Sequence, residues 1–146
     1  MILCVDFDGT CVTHAYPKIG NEIGAAEVLQ EVARNGHKII LYTMRSLSPN
    51  NSTNTLGDAI DWFKKHNIPL FGVNKNPEQS SWTLSPKPYA HLYIDDAGAG
   101  CPLLQSNDRP YVDWISIIPI LWKEGFLQDE QVVYLRNTLY RKYRNS

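Results

Sequence analysis

The chain has 146 residues, with 14 Lys and Arg against 15 Asp and Glu, for a formal net charge of −1. That length suits one domain, spanning 1–146, that can bury a sizeable core without a disulfide or metal staple. The charge balance gives no general pull toward nucleic acid or an anionic membrane. Cys4, Cys11 and Cys101 are odd in number and lack metal-ligand spacing, so they read as free thiols in a reducing cytoplasm. No apolar run approaches the roughly 20 residues of a membrane span. The longest candidate, 114–122, contains Ser116 and Pro119. The N-terminal apolar run stops at Val5, too early for a signal peptide, so a cytoplasmic location is expected.

The first element is the most informative. Ile2-Leu3-Cys4-Val5 runs into Asp6-Phe7-Asp8-Gly9-Thr10. A short continuous apolar run reads as a buried parallel strand, here over 2–7. Alternation leans Asp6 and Asp8 to one side and Phe7 to the other. Residues 10–20, with Pro17 and Gly20, suit a small flap over the aspartates. Ala25, Leu29 and Val32 recur at helical spacing, predicting a helix over 22–35 that stops at Gly36. A second strand is expected over 37–43, then a polar loop over 44–54.

Leu56, Ile60 and Phe63 share one face of a helix over 55–66, which Asn67 and Pro69 end. A third strand over 70–73 leads into a second long loop, 74–89. A fourth strand over 90–94 ends in Asp95-Asp96. Two helices, 114–124 and 129–143, are separated by Gly125. Pro119 predicts a kink or an early end in the first of them. Strands alternating with helices imply an α/β, Rossmann-like domain with a parallel sheet flanked by helices. Long loops in a compact domain are functional candidates.

A parallel sheet places all its strand ends on one edge, where such sheets bind ligands. Asp6, Asp8, Thr43, Asp95, Asp96 and Lys87 should therefore converge. A hard cation such as Mg²⁺ takes oxygen ligands and substrate phosphate. The cation and a lysine offset phosphoryl charge. Asp6 could attack phosphorus, and Asp8 could protonate the leaving oxygen and later accept a proton from water.

Val5-Asp6-Phe7-Asp8-Gly9-Thr10 resembles motif I of the haloacid dehalogenase-like superfamily, whose members are mostly phosphatases. Leu41-Tyr42-Thr43 resembles motif II, Lys87 the motif III lysine, and Ile94-Asp95-Asp96 motif IV. The match is in motif order and covers 2–96. The resemblance implies Asp6 as nucleophile and Mg²⁺ ligand, and Asp8 as acid–base with its backbone carbonyl on the metal. It implies Thr43 and Lys87 as holders of the phosphoryl group, with Lys75 the alternative lysine. Asp95 would complete the metal site and Asp96 would assist; which of the two contacts the ion stays open. With Asp8 present, the chain resembles the phosphatase branch of that superfamily.

Neither interval after motif I or motif II has room for a folded cap domain. A capless site suggests a large substrate, a lid from a neighbouring subunit in a homo-oligomer, or a lid from the long loops. Arg45, two residues after Thr43, should sit at the mouth of the site, where a guanidinium could hold a second anionic group. The competing reading is a surface arginine. His14 is expected to be exposed in the flap, and Trp82 to pack its loop down. Arg136, Arg141, Lys142 and Arg144 could touch nucleic acid, but Val132, Leu135, Leu139 and Tyr143 favour an amphipathic helix with a solvated basic face.

The expected function is a Mg²⁺-dependent phosphomonoester hydrolase acting through an aspartyl-phosphate on Asp6. The alternatives are a nucleic-acid end-processing phosphatase and a non-catalytic phosphate- and metal-binding module.

Overall fold

The structure, a computed structural model, describes residues 1–144. The apolar runs become the parallel strands β1 (Ile2–Val5), β2 (Lys38–Leu41), β3 (Gly72–Val73) and β4 (Leu92–Ile94), in the order β3-β2-β1-β4. The helix α1 (Ala25–Arg34) joins β1 to β2, and α2 (Thr55–Lys65) joins β2 to β3. A short antiparallel hairpin follows, β5 (Leu103–Leu104) with β6 (Tyr111–Val112), then α3 (Trp114–Lys123) and α4 (Asp129–Tyr143). This is a mixed α/β architecture with a parallel sheet and flanking helices, as the strand–helix alternation predicts. No described helix is long and apolar enough to cross a membrane.

Alternation along the strands divides the core. Leu3, Val5, Ile39, Leu41 and Ile94 join the larger apolar cluster, to which all four helices contribute. Among those contributions are Leu29, Phe63, Ile118 and Leu135. Cys4 and Ile40 turn to a second, smaller cluster with Ala90, Ile2 and Phe71. Cys4 thus serves as a small core hydrophobe.

Apart from α4, which keeps its expected bounds of Asp129–Tyr143, strands and helices are shorter than the sequence suggested. β3 keeps two residues because Pro69 and the turn at Asn74, with φ 57°, restrict it. The hairpin strands are two residues each, too short for an alternating pattern to register. Pro119 lies within α3, which runs through it to Lys123, one residue short of the expected 124.

Strand order sets the ligand edge. After β1 the chain adds β2 and β3 on one side, and β4 then pairs with the other side of β1. The order reverses between β1 and β4, which is where open α/β sheets form a crevice. Asp6 follows β1 and donates its N–H to Ile94 O of β4 at 3.0 Å. Asp95 and Asp96 follow β4 directly, so the backbone delivers three carboxylates to this one place.

Candidate active site

One carboxylate oxygen from each of Asp6, Asp95 and Asp96 lies within 4.8 Å of the other two. They open into a cleft of about 500 Å³, also lined by Asp8, His14, Tyr16, Thr43, Met44, Arg45 and Arg109. Phe7 is fully buried on the opposite side, as strand alternation requires. One buried hydroxyl ties the two strand ends together. Thr10 Oγ1 donates to Asp6 Oδ2 at 2.9 Å and accepts from the Asp96 N–H at 3.1 Å. Trp114 of α3 fixes Thr10 from behind, its Nε1–H donating to Thr10 O at 2.7 Å.

Crowding shows in the protonation of Asp6. Burial raises its pKa most, and the charge of Asp95 adds to this. The Phe7 N–H and the Thr10 hydroxyl act the other way, and Asp96 again pushes it up. The result is about 7 rather than 3.8. The donor set is all oxygen and net negative, which suits a hard dication. Its spacing is one that an ion with bonds near 2.1 Å can bridge directly or through water. The residues therefore fit Mg²⁺. Asp96 is the most committed to protein partners, with His14 Nε2 at 2.8 Å and Thr10 Oγ1 at 3.4 Å. Asp95 accepts one bond through Oδ1, from the Ala97 N–H at 2.9 Å.

The flap forms as expected and closes on this cluster. Gly9, at φ +76°, makes the turn possible. A methyl group at Gly9 would overlap His14 Nε2 and come within 2.6 Å of Asp96 Oδ2. His14, expected to be exposed, is instead half-buried against Asp96.

Three assignments change. Arg45 is neither at the mouth nor on the surface: it is 2% exposed. Its five N–H donors meet five acceptors. Nε and Nη2 grip the two Asp8 oxygens at 2.8 Å each, and the rest go to the carbonyls of Pro17, Lys18 and Thr55. No donor remains for a substrate anion. The Asp8 side chain, in turn, points to Arg45 and does not join the three-carboxylate cluster.

Lys87 does not line the cleft. Gln79, buried in the second long loop, donates to Ser85 O and Lys87 O and accepts from the Tyr89 N–H, which fixes that loop. Lys87 Nζ then lies 5.2 Å from the Tyr93 ring on β4. Lys75 is exposed on the segment after β3 and does not line the cleft either.

Thr43 is where the sequence places it. Its N–H donates to Asn74 Oδ1 at 2.8 Å, and its Oγ1 accepts from the Arg45 N–H at 3.1 Å. The hydroxyl proton is thereby left for an acceptor in the cleft. Trp82, expected to pack down, is 64% exposed and meets Tyr89 edge-on. Arg144 pairs with Asp113 and Lys142 with Glu27, which neutralises part of the basic C-terminal helix.

Sequence reading missed Arg109. It stands in the polar 105–110 turn of the hairpin, where composition signals only a loop.

Fold and cleft together define a parallel α/β domain with an oxygen-rich, acidic site at its topological switch point. No family model matches this chain, and no curated protein matches it. Among solved structures, a conserved protein from Bacteroides thetaiotaomicron is 33% identical, with a TM-score of 0.63. The match covers 92% of this chain and 97% of that one. The chain belongs to the same family as that conserved protein.

Proposed function

We propose that this protein is a Mg²⁺-dependent phosphomonoester hydrolase that forms an aspartyl-phosphate on Asp6. The observation that carries the reading is the convergence of Asp6, Asp95 and Asp96 at the β1–β4 switch point, in a cleft that also holds Asp8 and Thr43. The ordered resemblance to haloacid dehalogenase-like motifs I, II and IV supports it. Asp6 and Asp95, less committed to protein partners than Asp96, would hold the ion, with Asp96 in support. When bound, Mg²⁺ supplies positive charge that favours ionised Asp6 and offsets charge on phosphoryl oxygens.

In the first step an Asp6 oxygen bonds to phosphorus and the ester P–O bond breaks. The leaving oxygen takes a proton from Asp8. In the second step water attacks phosphorus and gives a proton to Asp8, releasing phosphate and restoring Asp6. Thr43 donates its hydroxyl proton to a phosphoryl oxygen. Arg45 is a positioning residue: it sets the orientation of Asp8 from behind.

The test is phosphate release from p-nitrophenyl phosphate and from a panel of phosphorylated metabolites, nucleotides and phosphopeptides with millimolar Mg²⁺. Wild type turns over, and Asp6→Asn loses at least about a thousandfold while keeping its circular dichroism spectrum. Turnover retained in Asp6→Asn, or none in wild type across the panel, rejects the reading. One observation favours a second reading, a phosphate- and metal-binding module without turnover. Both Asp8 oxygens are engaged by Arg45, so proton exchange requires giving up one of those bonds. On that reading Mg²⁺ and phosphate raise the melting temperature although no phosphate is released.

A further inference from the structure

We propose that Arg109 binds a second anionic group of the substrate, so that the site takes small phosphate esters that also carry another phosphate or a carboxylate. The identity of the first group rests on the hydrolase reading above. The role of Arg109 is readable without it.

Two guanidinium groups line the cleft alongside four carboxylates. Arg45 has spent every donor on the protein. Lys87 and Lys75 lie outside the lining. Arg109 is exposed, and among the described residues its guanidinium has neither an ion-pair nor a hydrogen-bond partner, despite the acidic surroundings. Its backbone is nevertheless held. Ser106 Oγ donates to Arg109 O at 3.0 Å and accepts from the Asp108 N–H at 3.2 Å.

Position separates this residue from the transferred phosphoryl group. Asp6 and Thr43 stand at the strand ends that form the floor, whereas Arg109 is on the hairpin loop. Arg109 also lines an adjoining groove of about 460 Å³ that runs between the flap and the hairpin loop, past Thr13, Asn21, Ser106 and Asn107. His14 is the other side chain common to both spaces. A substrate with its phosphoryl group on Asp6 and its body in the groove must pass the free guanidinium. A planar fork of donors recognises phosphate or carboxylate in that position. The groove offers hydroxyl and amide groups to a polar body, with the Asp108 carboxylate beside them.

Paired ligands test this by calorimetry with Mg²⁺ on Asp6→Asn, which keeps them intact. The pairs are 2-phosphoglycerate with glycerol 2-phosphate, 6-phosphogluconate with glucose 6-phosphate, and fructose 1,6-bisphosphate with fructose 6-phosphate. In at least one pair the member with the extra acid group binds about tenfold tighter, the factor one charge-assisted hydrogen bond supplies. Adding Arg109→Gln removes that preference and shifts the other member less than about twofold. Equal binding within every pair, no binding at all, or an equal loss for both members overturns the proposal. Phosphate release by wild type is scored separately. A preference without release rejects hydrolysis and leaves the role of Arg109 standing.

Discussion

Because Arg45 is buried and gives every donor to Asp8 and three carbonyls, its truncation strands a carboxylate and three oxygens together. Arg45→Ala is expected to cost about 3–5 kcal/mol, the usual consequence of breaking a buried pair from one side. The double variant with Asp8→Ala should recover part of that loss, as read from urea midpoints. Asp6 carries a different signature. Its folded pKa is about 7 against an ordinary 3.8, so in metal-free protein the native state binds more protons than the unfolded state between those values. The associated stability is fully present below pH 3.8 and falls as pH rises through about 7. Wild type in EDTA should therefore lose stability relative to Asp6→Asn across that window. Parallel curves for the two proteins would show that burial does not crowd Asp6.

At the scale of elements, α3 links the site to the C-terminal helix. Its N-cap Asp113 accepts from the Ser116 N–H and hydroxyl, and from Arg144 Nη2 at 2.7 Å. Asp113→Ala is expected to cost about 0.5–2 kcal/mol, and Asp113→Asn much less, by thermal or urea unfolding. Which elements the sequence announced follows from their length and from what lies at their ends. β1 and β4 were legible because each is an apolar run stopped by aspartates, and backbone topology alone then brings those aspartates together. Thr43 was legible for the same reason. Arg45, His14 and Lys87 were misplaced because their locations depend on how a loop folds back, which no periodicity records. Gln79 illustrates this: together with buried Asn76, which donates to Tyr89 O, its amide ties the 74–89 loop together, and Lys87 lies on the Tyr93 side of β4. The β5–β6 hairpin, two residues a strand, left no pattern to read, and Arg109 went unnoticed with it.

For the whole molecule, the acidic cluster is a standing cost in the absence of a cation, and ion binding should appear as global stability. At a hundredfold excess over Kd, Mg²⁺ adds about 2.7 kcal/mol. That corresponds to a rise of roughly 5–10 °C in melting temperature for a chain of this size. Asp6→Asn should melt higher than wild type in EDTA and respond less to Mg²⁺; identical melting curves with and without the ion would remove the metal site from the account. The two walls of the cleft differ in a way that bears on how such a protein can change. One guanidinium moors the 17–18 backbone and the start of α2 to Asp8, so on the proposed mechanism altering that wall disturbs the acid–base group itself. The opposite wall hangs from a two-residue ribbon with its own internal bonds. On the proposed function, substitutions at 106–108 can thus retune which leaving groups gain admission while Asp6, Asp8, Asp95 and Asp96 keep their places, and new preferences in related chains should arise on that side first.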